Sequence, residues 1–157
     1  YEIVVSDWSS DVCSSDLPTS PVEASAYVAA ADVWPGVAIV LHLRGLRLVN
    51  VANAREHWST RKRRVTREHA AVNAAVRLAP MWSTVAAAEA RRWVVTITRE
   101  GRGLCDDDGL AISAKGVRDA VAAALGVDDG PTGPVAWRYA QRRAKAYAVE
   151  VRVEVQR

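Results

Sequence analysis

The chain has no phenylalanine, one methionine and two cysteines, Cys13 and Cys105, among its 157 residues. It also lacks any long apolar run. The most hydrophobic stretch, residues 37–43, falls far short of the roughly 20 residues that a membrane-crossing helix needs. A secretory leader would need a basic start followed by an apolar run of roughly 7–15 residues, and the N-terminal segment has neither. Histidines are scarce as well. His57 and His69 lie too far apart in sequence to share a metal site on one helix face, and His42 reads as a strand residue. Gly101-Arg-Gly103 lacks the pattern of a phosphate-cradling loop, and there is no internal repeat.

The first 17 residues, YEIVVSDWSSDVCSSDL, contain no Lys or Arg and carry a Ser-Asp stutter unlike the rest. Back-translated, SDWSSDVCSSDL follows the index-read adapter of short-read sequencing libraries, so this segment is set aside in the way a fusion scar is. Removing Glu2, Asp7, Asp11 and Asp16 moves the net charge from +3 to about +7. Cys13 leaves with them. Cys105 then stands alone, which excludes an internal disulfide and fits a reducing, cytoplasmic setting. About 140 residues remain, enough for one domain with a workable core. Usage rich in Ala, Arg and Val with no Phe fits GC-rich coding of bacterial or phage type.

Residues 18–36, Ala-rich with Pro18, Pro21, Pro35 and Gly36, read as linker or as sequence upstream of the true start. The domain is expected over 37–157. Residues 37–49 are β-branched and Leu-rich and predict one or two short strands. Asn53 with Glu56 has the chemistry of a helix start. That helix should run to about Leu78, with Trp58, Val65, Val72 and Val76 as its apolar stripe and Arg63, Arg64 and Arg67 on the opposite side. Residues 80–92 are ambiguous, with a short Ala-rich helix as one reading, and 93–98 (WVVTIT) form a strand. A second helix over 109–125 has Leu110, Ala114, Val117, Val121 and Leu125 as its core stripe, with Gly126 as its C-terminal stop. Residues 135–141 and 146–155 read as a hairpin whose last strand alternates Val149, Val151, Val153 and Val155 with charged residues. The order strand, helix, strand, helix, strand, strand gives a single α+β domain with two main helices on a mixed sheet. Trp58, Trp93 and Trp137 are read as core.

The acidic residues of this basic domain are concentrated. Asp106, Asp107 and Asp108 stand in a row, Asp119 follows on the helix, and Asp128 and Asp129 lie just beyond it. In an extended chain Asp106 and Asp108 would point the same way. Asp108 is also the natural N-cap of the second helix, which alone accounts for one acid. Three consecutive carboxylates repel one another without a cation, and hard divalent cations take such oxygen ligands. Lys115 and Asp119, four apart, make at least an ordinary helix-face ion pair. Asp128-Asp129 before Gly130-Pro131 is equally a common turn composition. Arg61, Lys62, Arg63, Arg64 and Arg67 form a basic run suited to phosphate contact, whose plain alternative is a solubilising helix face. Cys105 has no His close in sequence and is given no role.

In combination, these features resemble the RusA-type Holliday-junction resolvases over roughly residues 41–155. Such proteins carry a D-x-D-N motif leading into a helix with a downstream Lys and Asp, then an acidic pair. Asp106-Asp107-Asp108-Gly109-Leu110, Lys115, Arg118-Asp119 and Asp128-Asp129 follow that order. Asn53-Ala-Arg-Glu-His57-Trp58 with Arg61, Arg64 and Arg67 is similar to the start of many relatives, as are Trp137-Arg-Tyr-Ala-Gln141 and the closing valine strand. Two departures stand out: Gly109 replaces the motif Asn, and Lys115 comes about one helical turn late.

The resemblance implies hydrolysis of a DNA phosphodiester. Asp106, Asp108 and Asp128 or Asp129 would hold Mg2+, with Mn2+ as a substitute, and Lys115, Asp119 and Asp129 would belong to the catalytic set. It implies branched DNA as partner, a homodimer matched to the twofold symmetry of a four-way junction, and neither a membrane nor a small-molecule cofactor. The rival expectation is a non-catalytic DNA-binding protein whose Asp run is structural. A third is a metal-dependent nuclease with a non-junction substrate.

Overall fold

In the computed structural model, the described residues are 3–4, 21–30, 37–50, 56–87 and 92–156. They form one α+β domain built on a mixed sheet, its strands in the order β1-β2-β3-β6-β4-β5. The strands are β1 (Ile3–Val4), β2 (Glu23–Ala30), β3 (Val37–Arg44), β4 (Arg92–Gly101), β5 (Val135–Arg143) and β6 (Ala148–Gln156). The helices are α1 (Trp58–Leu78), α2 (Trp82–Ala86), α3 (Asp107–Ser113) and α4 (Lys115–Leu125). No helix among the described residues is long and apolar enough to cross a membrane.

One face of the sheet carries the core. Ile39, Leu41 and Leu43 of β3, Trp93, Val95 and Ile97 of β4, and Val149, Val151 and Val153 of β6 are buried with Ala71, Val72 and Ala75 of α1 and Val117, Val121 and Leu125 of α4. Each such aliphatic side chain contributes on the order of 1.5–3 kcal/mol when fully buried. The alternation expected of the last strand holds from Val149 to Val153 and breaks at its end, where Glu154 is buried and Val155 half-buried, while the stripe expected of the second helix is buried throughout.

Several expectations are corrected. Residues 18–36 are not merely linker: Glu23–Ala30 is a full strand, paired antiparallel with β3 from Glu23↔Arg44 to Ala30↔Val37. Its Ala-rich sequence has weak intrinsic strand preference, and the edge of β3 supplies the missing drive. Residues 135–141 and 146–155 do not form a hairpin. β5 runs parallel to β4, while β6 lies between β3 and β4, antiparallel to both. The connection between β5 and β6 must therefore cross the end of β4. Gly101 permits it: the Ala144 N–H donates to the Gly101 carbonyl at 2.9 Å, and a Cβ at 101 would press on the Tyr147 ring at 3.1 Å.

The first helix begins at Trp58, capped by the His57 side chain rather than by Asn53, which lies outside the described residues. Its buried face is Glu68, Ala71, Val72 and Ala75, not the stripe starting at Trp58. Trp58 is 70% exposed. The second helix is two. α3 ends at Ser113 and α4 starts at Lys115, and the Ser113 hydroxyl donates back to the Leu110 carbonyl at 2.8 Å, a local bond that competes with regular helix. Gly126 closes α4 in the left-handed conformation, φ 71°.

Candidate functional site

The chemistry-bearing residues gather where the start of α1 faces the junction of α3 and α4. β4 ends at Gly101, and the loop that follows is tied down from two sides. Arg99 donates to the Gly103 carbonyl at 2.6 Å. Gln141 of β5 brackets Cys105, accepting from its N–H at 2.9 Å and donating to its carbonyl at 2.7 Å. The Asp run is thereby delivered to the start of α3 in a fixed pose.

Asp106, not Asp108, is the N-cap, its Oδ1 accepting the Gly109 N–H at 3.1 Å. Because the helix starts at Asp107, Asp106 and Asp108 do not follow strand alternation. Asp107 and Asp108 sit exposed in the first turn, where the helix dipole favours anions. Gly109 sits in a crowded place. A Cβ there would collide with the Asn50 carboxamide and with Asp106 Oδ1. Asn50, from the segment after β3, thus shares the space around the capping carboxylate. Nothing in the sequence marked Asn50.

Further along, Lys115 Nζ meets both Asp119 carboxylate oxygens at 3.0 Å. Arg118 Nη2 lies 2.8 Å from Asp129 Oδ2, and Lys115 reaches the same oxygen at 4.0 Å. The slight desolvation of Asp129 works upward on its pKa, but the Arg118 guanidinium and the Lys115 charge hold it below the usual carboxylate range. Lys115, Asp119 and Asp129, all in the expected catalytic set, are therefore brought together, with Arg118 as a further member. Asp128 is engaged differently, closing its own turn by accepting the Gly130 N–H at 3.2 Å.

On the α1 side the basic run divides. Arg61, Lys62 and Arg63 are exposed and make no ion pair with any described residue. Arg64, expected among the phosphate contacts, is turned inward and its side chain is only 10% exposed. Its guanidinium grips Glu56 at 3.0 Å and Glu68 at 3.1 Å. Burial alone would lower the Arg64 pKa, but the two carboxylates outweigh it and raise it. Arg67 is half-buried.

Glu68 was not anticipated. It is fully buried at 0% exposure, and its Oε2 has no hydrogen-bond partner. Burial pushes its carboxyl above the ordinary value, against the opposing pull of Arg64. Gly116 makes room for it: a Cβ at 116 would overlap Glu68 Oε2. α1 and α4 can approach closely only because that position has no side chain.

Between the helices lies a groove of about 440 Å³, with Trp58, Arg61 and Lys62 on one wall and Ile112, Lys115 and Asp119 on the other. Asp108 lies one turn before Ile112, on the same side of α3. Of the expected phosphate contacts, Arg61, Lys62 and the inward-turned Arg64 border this cleft and Arg63 and Arg67 do not; of the expected catalytic set, Lys115 and Asp119 do.

A second cluster lies on the sheet face away from the helices. His42 Nε2 is 3.7 Å from Glu100 and 3.5 Å from Glu150, and among the described residues these three form the one group of potential metal ligands within 4.8 Å of one another. Arg142 offsets part of its negative charge, 2.6 Å from Glu100 and 3.6 Å from Glu150. Asp106, Asp108, Asp128 and Asp129 do not form such a group. No family model, curated protein or solved structure matches this chain.

Proposed function

We propose that this protein is a magnesium-dependent, structure-selective endonuclease that hydrolyses phosphodiesters in branched DNA, resembling a Holliday-junction resolvase. The observation that carries the reading is the groove lined from α1, α3 and α4, where Arg61 and Lys62, cations free to grip phosphate, face Lys115 and Asp119. The Asp106–Asp108 turn begins α3, the helix that contributes Ile112 to the groove.

The carboxylates fit a hard cation in part. Asp106 has one oxygen committed to the Gly109 N–H, leaving the other for a ligand, and Asp108 is exposed without an ion pair to any described residue. One or two carboxylates completed by water and phosphate oxygens are a usual magnesium environment. Asp106 and Asp108 would hold the ion. Asp128 and Asp129 are occupied by a turn and by Arg118, so they are not assigned to it. Held there, such an ion would supply activation of water and stabilisation of charge developing on phosphate. The chain's own groups do the rest. Arg61 and Lys62 fix the backbone without reading sequence. Lys115, held by Asp119 and Asp129, offsets negative charge at the cleaved phosphate. A four-way junction has paired scissile strands, so a twofold homodimer with one site per subunit is the matching assembly.

A second reading has a specific observation in its favour: each acid also has a structural task. Asp106 caps α3, Asp107 and Asp108 complement its dipole, and Asp119 and Asp129 are ion-paired. On that reading the protein binds DNA without cutting it. Incubating the full chain with a labelled four-way junction and with linear duplex, in magnesium or EDTA, separates the two. Paired, magnesium-dependent nicks on the junction support the nuclease. Tight junction binding without nicks, indifferent to EDTA, leaves the binding protein.

A further inference from the structure

Trp58 is the first residue of α1 and sits in water. Tryptophan is seldom so exposed, because its ring gains more from burial than most side chains do. Here 70% of the residue is accessible. The neighbouring His57 ring, 5.8 Å away and tilted 39°, props the indole on one side without covering it.

What surrounds the indole is equally particular. Arg61 and Lys62, three and four residues on, share its side of the helix and line the same groove. Across the groove stands Ile112, the last large apolar residue of α3, itself 44% exposed. The groove's volume is in the range that encloses a small planar ligand. An aromatic face, an apolar counterface and cations beside them form a recurrent arrangement for an unstacked base with its phosphate. Paired duplex cannot use it, because its bases are already stacked and offer only the backbone to the cations. An acidic peptide would satisfy the cations and leave the indole without a planar partner.

We infer that the groove receives one unpaired DNA base, stacked on Trp58 against Ile112, with its flanking phosphates held by Arg61 and Lys62. The inference rests on the DNA-binding part of the proposed function and deepens it. Branched DNA is then preferred over duplex because a branch point offers bases that leave the stack at little cost.

The test uses the full chain in EDTA, so that binding is read without cleavage. Fluorescence anisotropy is measured with three labelled DNAs: a single strand, a four-way junction and a fully paired duplex. Trp58→Ala is expected to weaken the single strand and the junction by about tenfold, and to leave the duplex nearly unchanged. Trp58→Phe, which keeps a stacking face, is expected to retain most of the affinity. A fluorescent purine analogue in the single strand should be quenched by the wild type and not by Trp58→Ala. Since Trp58 is exposed, its variants should melt as the wild type does. If Trp58→Ala binds the single strand as tightly as the wild type, the inference is overturned while the DNA-binding reading stands. If the wild type binds none of the three DNAs at low salt, the proposed function falls as well.

Discussion

Replacing Gly116 by alanine should destabilise the protein, although alanine is the better helix former. Gly→Ala gains about 0.8–1.0 kcal/mol in a helix interior, an upper bound for Gly116, the second residue of α4. Here the added methyl would overlap Oε2 of Glu68, a side chain that is fully buried and whose own Cβ lies 3.5 Å from the same point. The carboxylate cannot swing into solvent, and moving it strains its 3.1 Å contact with Arg64. Overpacking a closed site of this kind costs about 1–3 kcal/mol, and weakening a buried ion pair adds to that. We expect a net loss of about 2 kcal/mol, or roughly 4–8 °C in Tm for a domain of this size. Urea and thermal unfolding followed by circular dichroism would measure it, with Gly103→Ala as control, since nothing lies within 4 Å of a Cβ there. In a Glu68→Ala background the Gly116→Ala change should become neutral or stabilising, a coupling that a double-mutant cycle isolates. Gly116→Ala raising stability in the wild-type background would refute the packing account of the α1–α4 contact.

Other consequences are open to measurement. The Glu68 pKa is raised on folding, so relative to Glu68→Gln the wild type should gain stability as pH falls through the folded value, the gain being complete below the unfolded one near 4.5; unfolding from pH 8 to 4 would test this, and a pH-independent difference would contradict it. Asp129 is shifted the opposite way, so its contribution is complete above its ordinary value and lost as pH falls through the lowered folded value; Asp129→Asn should remove that part of the acid sensitivity. Asp106→Ala should cost about 1 kcal/mol through the lost cap, whereas Asp106→Asn, which still caps, should cost little. Gly109→Asn, although it restores the motif residue, should lower stability by displacing Asn50 and the capping carboxylate. Arg61→Ala and Lys62→Ala should each reduce the slope of log affinity against log salt by about 1, while Arg64→Ala should act mainly on stability because its charge is engaged by Glu56 and Glu68.

The parts of the fold written in local pattern were legible. The valine alternation of β6 and the Leu110–Leu125 stripe each reflect burial of one face, which leaves a period in sequence, and the WVVTIT run marks a central strand buried on both faces at its start. Features decided by distant partners were not. β2 is Ala-rich and flanked by proline, and only the register with β3 makes it a strand. The short connection at residues 144–147 suggested neighbouring strands, but Gly101, at the end of the intervening β4, lets it cross that strand. The break at Ala114 falls on the best helix former and is invisible to propensity. For the site, the spacing of Lys115 and Asp119 gave their ion pair directly. Arg64 stands four residues before Glu68, the same spacing as Lys115 and Asp119, but the inward turn of that pair depends on the close approach of α4 at Gly116, which no local spacing records. The exposure of Trp58 could not be read from a stripe it continues.

The central claim is that the Asp106–Asp108 turn at the start of α3 carries the reaction. Its most direct test is single-turnover nicking of a four-way junction by saturating Asp108→Asn in magnesium, beside the wild type. Because Asp108 is exposed and does not cap α3, the variant should fold and bind the junction normally. The account predicts paired nicks by the wild type and a rate at least about 100-fold lower for the variant, with junction affinity preserved. Nicking by Asp108→Asn at the wild-type rate, or a wild type that binds the junction and never nicks it, would contradict it.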